Sequence, residues 1–206
     1  MVNFIEDIGE RLGIEPDVQK LGVRYYKIAR NSTSNEKKSL VQGRDTEIVA
    51  AACLYMACRI EKSPHMLIDF ADAIKEDLFK IADVFNTYRS QILLPEHTIP
   101  IIDPSLFITK FCRRLDFGDK FNAVRNTAIR LIQSMNRSWM TMGRRPSGLC
   151  GAAIYISAKI HGFRRTPNQI TRVVHVCEET IRKRLFEFKE LKTAQLTRGE
   201  FMALEN

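Results

Sequence analysis

The chain has 206 residues, 45% of them hydrophobic, and a formal net charge of +8, which is enough apolar material for one large or two small cores. Its five cysteines are odd in number and include no C-x-x-C pair, which argues against a disulfide framework and a structural zinc site. No apolar run is long enough to span a membrane, and the first residues lack a signal peptide's basic region, so we expect a reduced intracellular compartment.

Apolar residues recur with helical spacing along most of the chain, and proline, glycine or polar stretches separate the periodic segments. In the first half, the predicted helices span 3–12, 16–31, about 46–60, 66–74 and 78–93. In the second half, they span about 105–115, 121–139, about 146–159, 167–174 and 178–191. Prolines at 95 and 100 bound a stretch that cannot continue a helix.

Two segments one hundred residues apart are copies of each other. They open with Gly43-Arg44 and Gly143-Arg144, and each continues into a run of alanines mixed with larger apolar residues. Because small or apolar residues surround most of the circumference, each segment is predicted to be a buried central helix. The Arg-rich start of each helix must then lie at the surface, since an unpaired guanidinium is costly to bury.

The same offset continues after the central helices, where Ile81 pairs with Ile181 and Tyr88 with Phe188. A period this long indicates duplicated domains rather than a solenoid. We therefore predict an all-α protein of two tandem five-helix repeats. The boundaries are 1–94 for the first repeat, 95–100 for the linker, 101–192 for the second repeat, and 193–206 for a tail of loop plus a turn.

Positive charge is concentrated in the second half of the chain. Residues 1–100 hold 13 Lys and Arg against 15 Asp and Glu, whereas residues 101–206 hold 19 against 9. Within 120–184 the ratio is 13 to 2. Such an excess of positive charge in one half of the chain favours a polyanionic partner. A basic face that keeps the protein soluble is the alternative.

Catalytic motifs do not occur in the sequence: there is no Gly-rich phosphate loop, no G-x-S-x-G and no H-E-x-x-H. The histidines lack ligand spacing, so we predict no enzyme and no metal or other cofactor. His161 is expected at a helix end, and His175 on the surface of a short helix. Cys53, Cys150 and Cys177 lie in apolar stretches and are predicted to be buried, reduced thiols.

The arginines that precede helices are candidate phosphate ligands. Arg44, Arg144 and Arg145 lie at predicted helix N-termini, where backbone N–H groups and the helix dipole already favour an anion. Guanidinium groups added there would form a phosphate clamp. Arg164 and Arg165 repeat this arrangement one helix later.

Residues 167–190 have helix–turn–helix form, with the turn at 175–177. Three apolar residues of the second helix are predicted to face the core: Ile181, Leu185 and Phe188. Four polar residues near its N-terminal end are left to face a DNA groove: Glu179, Thr180, Arg182 and Lys183. A helix pair with a solvated basic face is the alternative.

Long stretches of the sequence resemble the cyclin-like repeats of TFIIB-related factors. The segment 143–166, which begins GRRPSGLCGAA and ends HGFRRT, resembles the second repeat of the Brf subunit of TFIIIB, the RNA polymerase III initiation factor. Segments 176–185 and 195–202 also look like Brf rather than general TFIIB. Segments 51–59 and 64–67 resemble the first repeat.

This resemblance implies a nuclear initiation factor that binds promoter DNA and the TATA-binding protein and recruits RNA polymerase III. The B double prime subunit of TFIIIB and TFIIIC would be further partners. It implies phosphate contacts for Arg44 and Arg144, a TATA-binding protein contact for Arg59, and recognition-helix positions for Thr180 and Arg182. The alternatives are a TFIIB-like factor for another polymerase and a true cyclin that binds a kinase, although the basic second repeat argues against a cyclin.

The sequence also departs from the family pattern. Family members begin with a zinc ribbon, and Brf carries a long C-terminal region; neither occurs here, which suggests a fragment or a reduced paralogue. Glu179 stands where general TFIIB has a small base-reading residue. We therefore expect Arg182 and Lys183 to contact mainly the DNA backbone rather than to read bases.

Overall fold

The computed structural model describes residues 2–31, 41–91 and 99–203. Its α-helices are α1 Val2–Leu12, α2 Pro16–Asn31, α3 Thr46–Ile60, α4 Leu67–Ile74, α5 Leu78–Gln91, α6 Ser105–Leu115, α7 Phe121–Arg137, α8 Pro146–Ile160, α9 Pro167–Val174, α10 Glu178–Lys189 and α11 Arg198–Ala203. Short 3-10 turns occupy Gly118–Lys120 and Lys192–Gln195. The described ranges contain no strand, and none of their helices is long and apolar enough to cross a membrane.

The chain divides into two compact units, residues 1–102 and 103–206. The first contains α1–α5 and the second α6–α10 followed by α11, so the predicted all-α fold of two five-helix repeats is confirmed. The predicted linker at 95–100 lies mostly outside the described residues. Its last two residues are described: Ile99 is buried with the core of the first unit, and the Pro100 carbonyl accepts a hydrogen bond from that unit.

A nearly all-apolar helix forms the centre of each unit, as predicted. Every residue of α3 from Ile48 to Cys58 is buried, and so is every residue of α8 from Gly148 to Ile154. Alanines, glycines and cysteines on these helices leave room for neighbours on several sides, so the surrounding helices pack closely against them.

The one-hundred-residue offset holds for three consecutive pairs of helices. Helices α3 and α8 begin and end at matching positions, as do α4 and α9, and α5 and α10 begin at matching positions. The matching ends of α4 and α9 both adopt the left-handed conformation, with φ of 56° at Lys75 and 55° at His175. The matched segments therefore share both helix boundaries and the turn geometry that reverses the chain.

The C-terminal segment differs from the prediction of loop plus a turn. Residues 192–195 form a 3-10 turn, and α11 packs against α7, where the Arg130 guanidinium donates to the Phe201 carbonyl at 2.7 Å and lies over its ring at 4.7 Å. Thr197 and Glu200 cap α11 reciprocally. This Thr-x-x-Glu pattern is a helix-start signal in the sequence, and the buried Phe201 supplies the apolar contact that holds the helix in place.

The buried positions of Cys53 and Cys150 are confirmed, but the prediction for Cys177 is wrong. Cys177 is exposed because it precedes α10 as its N-cap residue, and there its thiol lies 3.1 Å from the Thr180 hydroxyl. His161 ends α8, and His175 ends α9 on the surface, both as predicted. No group of residues in the described part of the chain could hold a metal ion.

Candidate nucleic-acid interface

The N-terminal end of α8 lies beside two arginines. Gly143 adopts φ of 66°, and Arg145 follows as the extended N-cap residue, with Pro146 in the first turn. The Arg145 side chain makes no capping hydrogen bond. The positive end of the helix dipole therefore lies next to the guanidinium groups of Arg144 and Arg145, and both favour an anion there.

The matching end of α3 is already occupied by a carboxylate. The Asp45 side chain accepts a hydrogen bond from the Glu47 amide at 2.9 Å. Arg44 is half-buried and lies 5.6 Å from the centre of the Tyr88 ring. Burial raises the pKa of Tyr88 to about 12, so this phenol stays neutral under the arginine. The two helix ends share a sequence motif, but only that of α8 lacks an acidic cap.

Two glycines of α8 let α10 approach closely. A Cβ atom on Gly148 would lie 3.0 Å from the Thr180 methyl group, and one on Gly151 would lie 3.1 Å from Ile181 Cδ1. The N-terminal half of α10 therefore rests on the first two turns of α8.

The prediction that Thr180 points outward is wrong. The residue is half-buried, because its methyl group packs against Gly148 while its hydroxyl contacts Cys177. Ile181 and Phe188 are buried as predicted. Leu185 differs in being only half-buried. The other predicted groove residues, Glu179, Arg182 and Lys183, are exposed.

Carboxylates on α10 already pair with three of the predicted DNA-binding cations. Arg182 donates to Glu178 from Nε at 2.9 Å, and Lys183 lies 3.9 Å from Glu179. Arg144 reaches Glu187 side-on, from Nε at 3.3 Å and Nη2 at 3.2 Å. The two i,i+4 pairs on α10 are largely exposed, so each is worth only about 0.3–0.5 kcal/mol, and a DNA phosphate can compete with the carboxylate.

The sequence analysis did not identify Glu187 as a site residue, yet its carboxylate links the C-terminal half of α10 to the N-terminal end of α8. It also accepts from Arg184 at 2.8 Å, and the Arg184 side chain is only 13% exposed. The Arg184–Glu187 spacing along one helix is a local signal that sequence reasoning could have used. The contact with Arg144 spans 43 positions and has no such signal.

Arg164 and Arg165 lie apart from this group. They follow the C-terminal end of α8, whereas Arg145 precedes its N-terminal end, and the 15 residues of that helix span about 22 Å. The Arg165 guanidinium donates to the Asp116 carbonyl at 2.6 Å and lies over the Phe117 ring. Arg164 is exposed.

Arg145 and Arg164 differ from the other candidate arginines in their surroundings. Within the described part of the chain, their side chains make no hydrogen bond or ion pair with protein groups, and both are exposed. They can therefore reach a phosphate without first releasing an internal partner. Arg145 also stands at a helix N-terminal end, where the helix dipole favours an anion.

Arg59, the candidate for protein contact, has internal partners. Its Nη2 donates to the Pro100 carbonyl at 2.8 Å, and its Nη1 lies 3.4 Å from the Tyr55 hydroxyl. The guanidinium also lies 5.9 Å from the Tyr55 ring centre. Arg59 thus ties the segment at Ile99 and Pro100 to the end of α3.

These two units define a class of protein. The family model of the transcription factor TFIIB repeat matches residues 2–88 and 97–191. The chain belongs to the TFIIB repeat family, whose members share the cyclin-like all-α fold.

Proteins that are similar to this chain over most of its length are transcription initiation factors, as the sequence resemblance predicted. The chain is 40% identical to the human transcription factor IIIB 90 kDa subunit over 201 residues, which is 98% of this chain and 28% of the relative. It is 42% identical to the 60 kDa subunit of Schizosaccharomyces pombe over 87% of this chain and 35% of the relative. Transcription initiation factor IIB 1 of Thermococcus kodakarensis is 30% identical over 90% of this chain and 59% of its own length. The chain therefore spans about a third of the TFIIIB subunits that it matches.

Proposed function

We propose that this chain is the repeat core of a TFIIB-related general initiation factor that serves RNA polymerase III. In this role it binds promoter DNA together with the TATA-binding protein and acts in the nucleus. The proposal is supported by 36–42% identity to TFIIIB subunits over 86–98% of this chain. The B double prime subunit of TFIIIB and TFIIIC are proposed as further partners on the same resemblance.

One observation supports DNA binding: the exposed Arg145 stands at the N-terminal end of α8 and has no ion-pair partner in the described part of the chain. A phosphate seated there would accept a charge-assisted hydrogen bond from Arg145 and would be favoured by the helix dipole. Arg164, beyond the opposite end of α8, is proposed to hold a second point on the DNA backbone. Two separated phosphate contacts would fix the orientation of the second repeat on the duplex.

The remaining candidates are proposed to contribute more weakly. Arg182 and Lys183 must exchange Glu178 and Glu179 for phosphates, so the net gain from each is small. Arg144 must likewise leave or share Glu187, and Arg165 is tied to a carbonyl group. Arg44 would add little at the α3 end, because Asp45 already occupies it.

Dependence on the TATA-binding protein follows from the uneven charge. The first repeat is nearly neutral, so a single basic repeat supplies most of the attraction to DNA. We propose that the first repeat contributes the contact to the TATA-binding protein, near Arg59. Since Arg59 also holds the Pro100 segment, its role there includes shaping the surface as well as touching the partner.

A gel-shift assay on a TATA-containing duplex tests this proposal, with and without the TATA-binding protein. We expect weak binding by the chain alone and a supershifted complex when the partner is present. A duplex with a scrambled TATA element is the matched control. Equal affinity with and without the partner would contradict the proposal.

A TFIIB-like role with another polymerase is the second candidate, favoured by the similarity to the archaeal initiation factor. Adding an excess of this chain to extracts that transcribe polymerase II and polymerase III templates separates the two. Inhibition of a polymerase III template alone by an excess of this chain supports the first proposal. Inhibition of a polymerase II template alone supports the second.

A further inference from the structure

The turn between α7 and α8 displays the chain's single tryptophan. Trp139 is 76% exposed, and Met142, three residues later, is 65% exposed. Large apolar side chains this open to water usually mark a contact surface when they occur together. The turn leads directly into Arg144 and Arg145.

This turn is ordered by its own backbone. The Met140 amide donates to the Met135 carbonyl at 3.0 Å, and the Met142 amide donates to the Trp139 carbonyl at 3.2 Å. The Arg144 amide donates to the Thr141 carbonyl at 3.2 Å. The last two bonds each span three residues and close turns whose ends lie within about 7 Å, so the exposed side chains stay close to the α8 end. The buried side chain of Met140 anchors the turn to the second unit.

The backbone at Trp139 is in an unfavourable conformation for its side chain. Its φ of 57° lies in the left-handed region that follows many helices and that glycine adopts most easily. Four other described non-glycine residues have positive φ, and all are polar: Lys62, Lys75, Asp116 and His175. A bulky aromatic residue at such a position, with its ring in solvent, is not explained by folding.

The charges around the turn favour a polyanion over an ordinary protein surface. The segment 136–145 contains Arg137, Arg144 and Arg145 and no acidic residue. Glu187 of α10 pairs with Arg144, which leaves a net positive charge at the turn. Nucleic acid supplies both of the groups that this surface would match, phosphates for the arginines and apolar sugar and base edges for the ring. A protein partner would need an acidic rim around an apolar pocket.

We infer that Trp139 and Met142 form an apolar contact with duplex DNA. They would pack on deoxyribose and base edges next to the phosphate bound by Arg145 and the α8 end. This inference rests on the proposed function, since it assigns side chains to the same DNA complex. It adds a contact whose strength does not depend on salt, unlike that of the arginines.

The test uses the full chain labelled with 5-fluorotryptophan, in complex with unlabelled TATA-binding protein and a TATA duplex. Because the chain has one tryptophan, its ¹⁹F spectrum has one resonance. We expect this resonance to shift when duplex is added to the two proteins. A shift that is already complete with the TATA-binding protein alone would overturn the inference and assign the surface to a protein partner.

Affinity measurements give an independent readout. Trp139→Gly should weaken the DNA complex about tenfold, the scale of one aromatic contact to a nucleotide, with an unchanged salt slope. Its melting temperature should be equal or higher, because glycine relieves the positive φ. Phe79→Ala, which removes a 73% exposed phenylalanine from the first repeat, is the control.

The outcomes separate this inference from the proposed function. If Trp139→Gly leaves affinity within about twofold while Arg145→Ala weakens it, the tryptophan contact is absent and the phosphate site stands. If neither change affects affinity, the phosphate site itself is wrong, and the contact built beside it is wrong with it.

Discussion

Arg144 and Glu187 form a side-on ion pair at 3.2 Å, although 43 residues separate them in the chain. The same carboxylate holds the mostly buried Arg184. One acidic group therefore ties the N-terminal end of α8 to the C-terminal half of α10. It also neutralises one of the arginines that would otherwise face a phosphate.

Glu187→Gln should have opposite effects on binding and on stability. Freed from its partner, Arg144 can bind a phosphate, so DNA affinity should rise and the salt slope should steepen by about 0.9. Arg184 would lose its charged partner inside the unit, which should lower the free energy of unfolding by roughly 1–3 kcal/mol. Fluorescence anisotropy over a salt series and urea unfolding measure the two effects.

Glu190→Gln is the matched control for that change. Glu190 is exposed at the end of α10 and pairs with no cation in the described part of the chain. The Glu190→Gln substitution removes the same negative charge as Glu187→Gln, but it does not release Arg144 or Arg184 from an ion pair. Equal effects of the two substitutions would mean that net charge, and not the Arg144 pair, governs binding.

Arg145→Ala should weaken binding to every duplex sequence to a similar extent. The lost phosphate contact should reduce the salt slope by about 0.9. Arg144→Ala should have a smaller effect, because the wild-type residue is already paired with Glu187. Arg89→Ala removes an exposed arginine from the first repeat and serves as the control. A salt slope unchanged by Arg145→Ala would show that the α8 end faces away from DNA.

Arg182→Ala should cost the same small affinity on all flanking sequences. Its bond to Glu178 offsets much of its charge, and removal leaves that carboxylate unpaired near the DNA. Binding across a library of randomised flanks measures this. A base contact would instead give about 1–3 kcal/mol of discrimination at one position. A preference that disappears in the mutant would therefore refute the backbone-only role.

Gly151→Ala should destabilise the second repeat, whereas Gly148→Ala should be nearly neutral. A Cβ atom at Gly151 would meet three atoms of Ile181 and Val174 at 3.1–3.3 Å in the packed core. Overpacking of this kind costs about 1–3 kcal/mol, more than the gain of up to about 1 kcal/mol from alanine's helix propensity. At Gly148 the close neighbour is the methyl group of the half-buried Thr180, which can yield. Chemical denaturation of both variants measures the difference, and equal stabilities would contradict this account of the α8–α10 contact.

Cys177 should be the first thiol to react with a thiol-specific reagent. The hydrogen bond with the Thr180 hydroxyl holds the pKa of Cys177 below its ordinary value, so more thiolate is present at neutral pH. Burial raises the pKa of Cys53, Cys58 and Cys112 to about 12. Titration with Ellman's reagent should therefore release one equivalent rapidly from the native protein and five after denaturation.

Thr180→Val tests the cause of that reactivity. Removal of the hydroxyl raises the thiol pKa, so the rate at a fixed neutral pH should fall and its pH profile should move upward. Thr171→Val alters a threonine elsewhere on the second repeat, whose hydroxyl bonds to the Asn168 carbonyl, and should leave the rate unchanged. An unchanged rate in the Thr180 variant would exclude the hydrogen bond as the cause.

Local sequence patterns predicted much of this fold because they report local physics. The small-residue run of α8 requires burial on all sides, and its boundaries follow from Pro146 and the residues after Ile160. The one-hundred-residue offset between the two repeats located the matching helices, because both copies must bury the same apolar positions. The predicted end of α7 at Trp139 was two residues too long, since Trp139 retains an apolar side chain while its backbone leaves the helix.

The candidate site depended on contacts that no local pattern records. From the sequence alone, Arg44 and Arg144 were equivalent candidates at the starts of matching helices. Arg145, Arg164 and Arg182 were likewise indistinguishable, since all three were expected to be exposed cations. The tertiary structure separated them: Asp45 caps one helix end, Glu187 reaches Arg144 from another helix, and Arg145 is exposed with no ion-pair partner in the described part of the chain.

Residue types and spacing thus determined the all-α duplicated fold and the location of the positive charge. Which cation is free and which is paired was decided by side chains that meet only after the helices pack. Periodicity reports the face that a helix buries against its neighbours. Ion pairing depends on distances of a few ångströms between segments remote in sequence, and only the folded chain sets those distances.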